Sequence, residues 1–155
     1  MLLNMTHDYA VRIVRAAATH DYPSLTRISE LENVTRPQVA LLGRSLVHAG
    51  ILKSRNAKRG GGYALAKPLS EIPVLDVVRA VDPGYTIAFC YRKGIDCPNN
   101  GNEECRVHQK IGQLQELIFF LLQSISMADM LAEEPLAVER LLEAALQNYG
   151  AARQE

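Results

Sequence analysis

The chain has 155 residues, 48% of them hydrophobic, which is enough for one ordinary core and too little for two large domains. No run approaches the roughly 18 consecutive apolar residues of a membrane span, and Met1 to Asp8 lacks a basic segment followed by an apolar run, so a cytoplasmic, unprocessed protein without membrane association is expected. The net charge of zero hides a division near Ser70: ten Lys+Arg face four Asp+Glu before it, and seven face thirteen after it. A cationic half joined to an acidic half suits a nucleic-acid module attached to a different module.

In chain order, Thr6 is a candidate N-cap, and Ala10, Ile13, Val14 and Ala17 follow on one helical face. Leu25, Ile28 and Leu31 predict a short second helix ending near Asn33. Thr35 then caps a third that opens at Arg36-Pro37, buries Val39, Leu42 and Leu46, and stops at Gly50. Two short helices joined by a tight turn form a helix-turn-helix pattern. Strand-like runs at Ile51 to Arg55 and Tyr63 to Leu65 flank Asn56 to Gly62, a loop that combines cations with glycines and reads as a wing. Pro73 opens a fourth helix with Val74, Val77, Val78 and Val81 on one face, closed by Asp82-Pro83.

The segment to about Arg106, rich in Gly, Asn and Cys, is too long for a structureless loop unless it is functional or organised by a ligand. From Val107, the apolar residues Ile111, Leu114, Ile118, Leu121 and Ile125 alternate steps of four and three, predicting a long helix to about Ser126 that self-associates. Leu141, Leu142, Ala145 and Tyr149 predict a terminal helix after Pro135, with a frayed tail from Ala151. The expected architecture is mainly α with a small β-wing: a winged helix-turn-helix over residues 1–83, a cysteine loop over 84–106, and a dimerisation helix with a C-terminal helix over 107–155.

Thr35, Arg36, Gln38 and Arg44 lie at the start and on the outward side of the third helix, where base edges and phosphates are reached, and Arg55, Lys58 and Arg59 serve the wing. Three cysteines, an odd number confined to Cys90, Cys97 and Cys105, fit metal or redox chemistry better than a disulfide framework. His108 lies three residues after Cys105, on the same side of a beginning helix, so a Cys3His set is available to an iron–sulfur cluster or to zinc. Metal-free thiols acting as a redox switch are the remaining alternative. No phosphate-cradling glycine loop or nucleophile motif points to an enzyme.

Taken together, Asp8-Tyr9-Ala10-Val11-Arg12, Gly60-Gly61-Gly62-Tyr63-Ala64-Leu65, Val77-Val78-Arg79-Ala80-Val81-Asp82, the cysteine loop and Ser126-Met127-Ala128-Asp129-Met130-Leu131 give the chain its resemblance to the Rrf2 family of bacterial transcription regulators, with its IscR-like and NsrR-like branches. The resemblance implies a homodimer that crosses long helices, reads a pseudo-palindromic double-stranded DNA operator through its third helix and wing, and adjusts affinity through an iron–sulfur cluster, 2Fe–2S ahead of 4Fe–4S. It places the cluster ligands at Cys90, Cys97 and Cys105, with His108 as the fourth or, alternatively, Asp8 from the partner subunit. The spacing here, C-x6-C-x7-C, is wider than is usual among cluster-binding members.

Overall fold

The computed structural model describes residues 3–55, 61–92 and 105–151. Its helices are α1 (Met5–Thr19), α2 (Leu25–Glu32), α3 (Arg36–His48), α4 (Val74–Val81), α5 (Arg106–Ser124), α6 (Met127–Leu131) and α7 (Val138–Ala151). Strands β1 (Leu52–Ser54) and β2 (Tyr63–Leu65) form an antiparallel pair with Leu52 opposite Leu65 and Ser54 opposite Tyr63. The fold is the expected one, mainly α with a small β-wing. The strands are shorter than the runs that announced them, and the wing tip at 56–60 lies outside the described residues.

The N-cap of α1 is Asn4 rather than Thr6. Its side-chain oxygen accepts the N–H groups of Thr6 (2.9 Å) and His7 (3.2 Å), while Nδ1 of His7 accepts the Asn4 N–H at 3.2 Å. Three of the amides left without partners at a helix start, those of Asn4, Thr6 and His7, are thereby satisfied, with an imidazole in the place usually held by Glu or Gln. Asn33 ends α2 in the left-handed conformation, and Thr35 occupies the N-cap of α3.

Ile13 and Val14 of α1, Ile28 of α2, Val39 and Leu46 of α3, Ile51 and Leu52 at β1, and Val77 of α4 are buried in one core. Beside it, Glu32 is only 5% exposed. Arg15 makes that burial tolerable by donating through Nε (3.1 Å) and Nη2 to the two carboxylate oxygens, which fastens α1 to α2. Gly43 allows the Tyr63 ring to lie against α3, since a Cβ there would clash with it. Gly62, with φ +113°, passes the wing's return strand close to the backbone of Tyr22 and Pro23, where no L side chain fits.

α5 ends at Ser124, two residues before its expected end. Ile125 is extended, and Ser126 instead caps α6 through a capping box with Asp129. The extended residue joins the helix-turn-helix module: Val74 N–H donates to the Ile125 carbonyl and Met127 N–H to that of Ile72, both at 2.8 Å. The four-three seam of α5 is divided. Ile125 is buried and Ile118 and Leu121 pack against the core, whereas Val107 and Leu114 are 66% and 51% exposed. α7 covers part of α5 with Leu141 and Ala145 and sets Tyr149 edge-on to Phe120. Intramolecular packing thus supplies some of the cover that the seam requires. α7 remains helical through Ala151, where a frayed tail was expected to begin.

Candidate nucleic-acid interface and metal centre

The outward side of α3 carries Arg36, Pro37, Leu41, Arg44 and His48, all exposed, and its sequence contains no acidic residue. Thr35 is exposed and Gln38 half-buried. The Thr35 hydroxyl donates to Oε1 of Gln38 at 2.8 Å, a side-chain bond in place of the backbone cap that Thr usually makes. This holds the Gln38 amide at the first turn of the helix. Arg44 Nε donates to the Ala40 carbonyl at 3.1 Å, which draws its guanidinium back along the helix. Burial holds the Tyr63 phenol above its ordinary pKa, against the nearby Arg44 charge, so β2 meets α3 with a neutral ring. Arg55, at the end of β1, stacks over Tyr22 at 4.5 Å, and Arg55 N–H donates to the Gly62 carbonyl at 3.1 Å. Lys58 and Arg59 lie outside the described residues.

The segment that leads to Cys90 runs antiparallel to α5 and is fastened to it three times. Tyr85 tilts against Phe119 (5.6 Å), Ile87 N–H donates to Oε1 of Gln115 (3.0 Å), and Tyr91 stacks on His108. Phe119, Gln115, Gly112 and His108 are spaced four, three and four apart, so one face of α5 receives the whole segment. Tyr91 also donates its hydroxyl to the His108 carbonyl (2.9 Å) and lies where a Cβ on residue 112 would stand. Burial raises the Tyr91 pKa, with the neighbouring Cys90 and Glu116 adding to the effect.

Cys90, in the short 3₁₀ turn Phe89–Tyr91, is therefore carried to the end of α5 whose N-cap is Cys105. Both thiols are free and half-buried. Nδ1 of His108 is buried and has no hydrogen-bond partner among the described residues. A buried nitrogen without a partner costs about 1–3 kcal/mol, and metal ligation is one way to relieve that cost. Among the described residues no set of three His, Cys, Asp or Glu is assembled tightly enough to hold a metal ion; Cys97 lies outside them. Cys90, Cys105 and His108 carry the thiol and imidazole donors that a metal centre at this end of α5 would use.

Asp8 is half-exposed and pairs with Arg12 one turn on (2.8 Å). It also borders a depression of about 360 Å³ with Val11, Arg15, Met130 and Leu131. Its neighbour His7 is 2% exposed, and Nε2 of that ring sits 3.4 Å from Asp82 without hydrogen-bond alignment. The ring meets Tyr85 edge-on at 5.1 Å, which ties the first turn of α1 to the root of the cysteine segment. His7, Tyr85, Tyr91 and Gln115 were not singled out from the sequence. Gly112 offered a signal, since a lone glycine inside a helix costs about 1 kcal/mol and usually marks close packing.

The family model described as "Rrf2: Iron-dependent Transcriptional regulator" matches residues 3–133. The chain belongs to the Rrf2 family. It is a DNA-binding transcription regulator of that family, whose members are regulators and not enzymes. A protein named IscR, an HTH-type transcriptional regulator of Photorhabdus laumondii, is 31% identical over 84% of this chain and 79% of its own length. Protein aau3 of Rhizobium meliloti is 28% identical over 87% of this chain and 88% of its own length. The solved structure of T. potens IscR superposes with a TM-score of 0.63 at 25% identity, covering 89% of this chain and 95% of that one. No helix among the described residues is long and apolar enough to cross a membrane.

Proposed function

We propose that this Rrf2 regulator is a homodimer whose affinity for a pseudo-palindromic operator is set by an iron–sulfur cluster, 2Fe–2S in type, held by Cys90, Cys97, Cys105 and His108. The observation that carries the reading is the antiparallel seating of residues 85–91 on α5, which brings Cys90 toward the end of the helix that holds Cys105 and the His108 Nδ1, unpartnered among the described residues. Thiolates with one imidazole are a known ligand set for such clusters, and when bound the cluster supplies a redox-active group. The relatives' name IscR and the family's description as iron-dependent favour iron over zinc, which the same donors also suit.

In this reading Arg36 and Gln38 meet base edges, Thr35 orients Gln38, and Arg44, Arg55, Lys58 and Arg59 neutralise phosphates. Val107 and Leu114 of α5, with Val138, Leu142 and Leu146 of α7, supply the exposed apolar surface that a second copy would cover. A cluster bound beside the first turn of α5 favours one disposition of the two reading heads over another, which is the differential stabilisation a ligand needs to shift an equilibrium. His7 and Tyr85 contribute by joining the root of that segment to α1.

The fourth ligand is tested by the visible spectrum and redox potential of anaerobically purified His108→Ala and Asp8→Ala. A changed spectrum in His108→Ala and an unchanged one in Asp8→Ala are expected. The reverse result would move the ligand to the partner subunit's first helix.

A further inference from the structure

The outward face of α3 is polar at both ends, with Arg36 before and Arg44 and His48 after an apolar middle formed by Pro37 and Leu41. Pro37, Leu41, Arg44 and His48 follow at steps of four, three and four, opposite the buried Val39, Leu42 and Leu46. Leu41 is 58% exposed, and Ala40 beside it is half-buried. A lone exposed leucine is ordinary on a protein surface. This one stands at the centre of the surface read above as facing DNA, with Arg36 and the Thr35–Gln38 pair one turn before it. Arg44 follows on its other side, folded back onto the Ala40 carbonyl. Nothing on α3 carries a negative charge, so the face as a whole suits a polyanion.

The apolar feature that base edges present in the major groove is the C5-methyl of thymine. We propose that Leu41 is a specificity-determining residue that selects thymine at one position of each half-site by packing on that methyl. The inference rests on α3 docking in the major groove and adds to it a base preference that the polar residues of the helix do not supply. Contact removes water from two apolar groups at once, and burial of one methyl is worth roughly a fourfold change in affinity.

The test uses the intact protein, purified without oxygen, and a duplex enriched by the wild type from a randomised library. Each dT of that duplex is replaced singly by dU, which deletes the C5-methyl and leaves the other groove groups in place. Wild type should bind roughly fourfold more weakly at one symmetry-related pair of positions, and Leu41→Ala should bind the dT and dU duplexes equally. Alanine on an exposed helix face preserves the fold. If Arg36→Ala weakens binding while every dU duplex behaves like its parent with both wild type and Leu41→Ala, α3 still docks and the assignment to Leu41 fails. A Leu41→Ala protein with unaltered base preference but altered assembly mass would assign the side chain to a protein contact and overturn the proposal. Enrichment of no sequence by the wild type would remove the docking of α3 and this inference with it.

Discussion

Tyr91 lies flat on the imidazole of His108, with ring centroids 4.1 Å apart and planes 13° from parallel. The contact joins the residue after Cys90 to the residue three beyond Cys105, so it fixes the separation of two of the proposed ligands. Tyr91→Leu removes the stack and the hydroxyl bond, together worth roughly 1–2 kcal/mol. Anaerobically purified Tyr91→Leu should therefore carry less iron per protein, with unchanged far-ultraviolet circular dichroism. Gly112→Ala should lower iron content as well, although alanine favours the helix, because its Cβ would displace Tyr91. Full iron content in both variants would show that the stack does not organise the site.

Glu32 and Arg15 lock the first two helices. The Glu32 hydrogen bond is the largest contribution holding the Arg15 guanidinium above its ordinary pKa. Glu32→Gln keeps the shape and removes the charge, leaving a buried amide facing a cation. A loss of about 1–3 kcal/mol in denaturant unfolding is expected, toward the lower end because Arg15 is itself half in solvent. An unchanged midpoint would contradict the assignment.

Leu114 offers a cleaner probe of self-association than Leu121, which packs against the protomer's own core. Leu114→Glu should leave the protomer folded and shift sedimentation from dimer to monomer. A wild type that sediments as a monomer at micromolar concentration would remove the homodimer.

Asp129 titrates at the α5–α6 junction. The Ser126 hydroxyl (2.6 Å) and backbone N–H (2.9 Å) both donate to its carboxylate and hold its pKa below the ordinary carboxylate value. A depressed folded pKa stabilises the fold above the unfolded value near 4 and loses that effect as pH falls through the folded pKa. Wild type should lose more stability than Asp129→Asn between about pH 5 and pH 3. Asp129→Ala should cost about 1 kcal/mol at neutral pH. Parallel stability–pH curves for wild type and Asp129→Asn would rule out this role.

The helix-turn-helix, the wing strands and α4 were legible because local signals and burial agree there: Ile28, Val39, Leu46 and Val77 sit on the faces that their spacing predicted. The start of α1 was misread because Asn4 caps with His7 rather than with the usual Glu or Gln. Spacing in α5 identified an apolar face but not its partner, since a four-three seam looks the same whether α7, the core or a second chain covers it. The antiparallel run of residues 85–91 on α5 leaves little trace in sequence, because one ring stack, one ring tilt and one backbone-to-glutamine bond have no period. Gly112 was its one local mark.

Anaerobic purification of wild type and Cys97→Ala, with iron, sulfide and zinc content, visible spectrum and affinity for one enriched duplex measured on the same samples, tests the central claim most directly. The account predicts coloured wild-type protein with one cluster per subunit, an affinity that changes when the cluster is removed, and a Cys97→Ala protein that lacks both the cluster and the change. Colourless wild-type protein with stoichiometric zinc, or a Cys97→Ala protein that retains its full cluster, would contradict it.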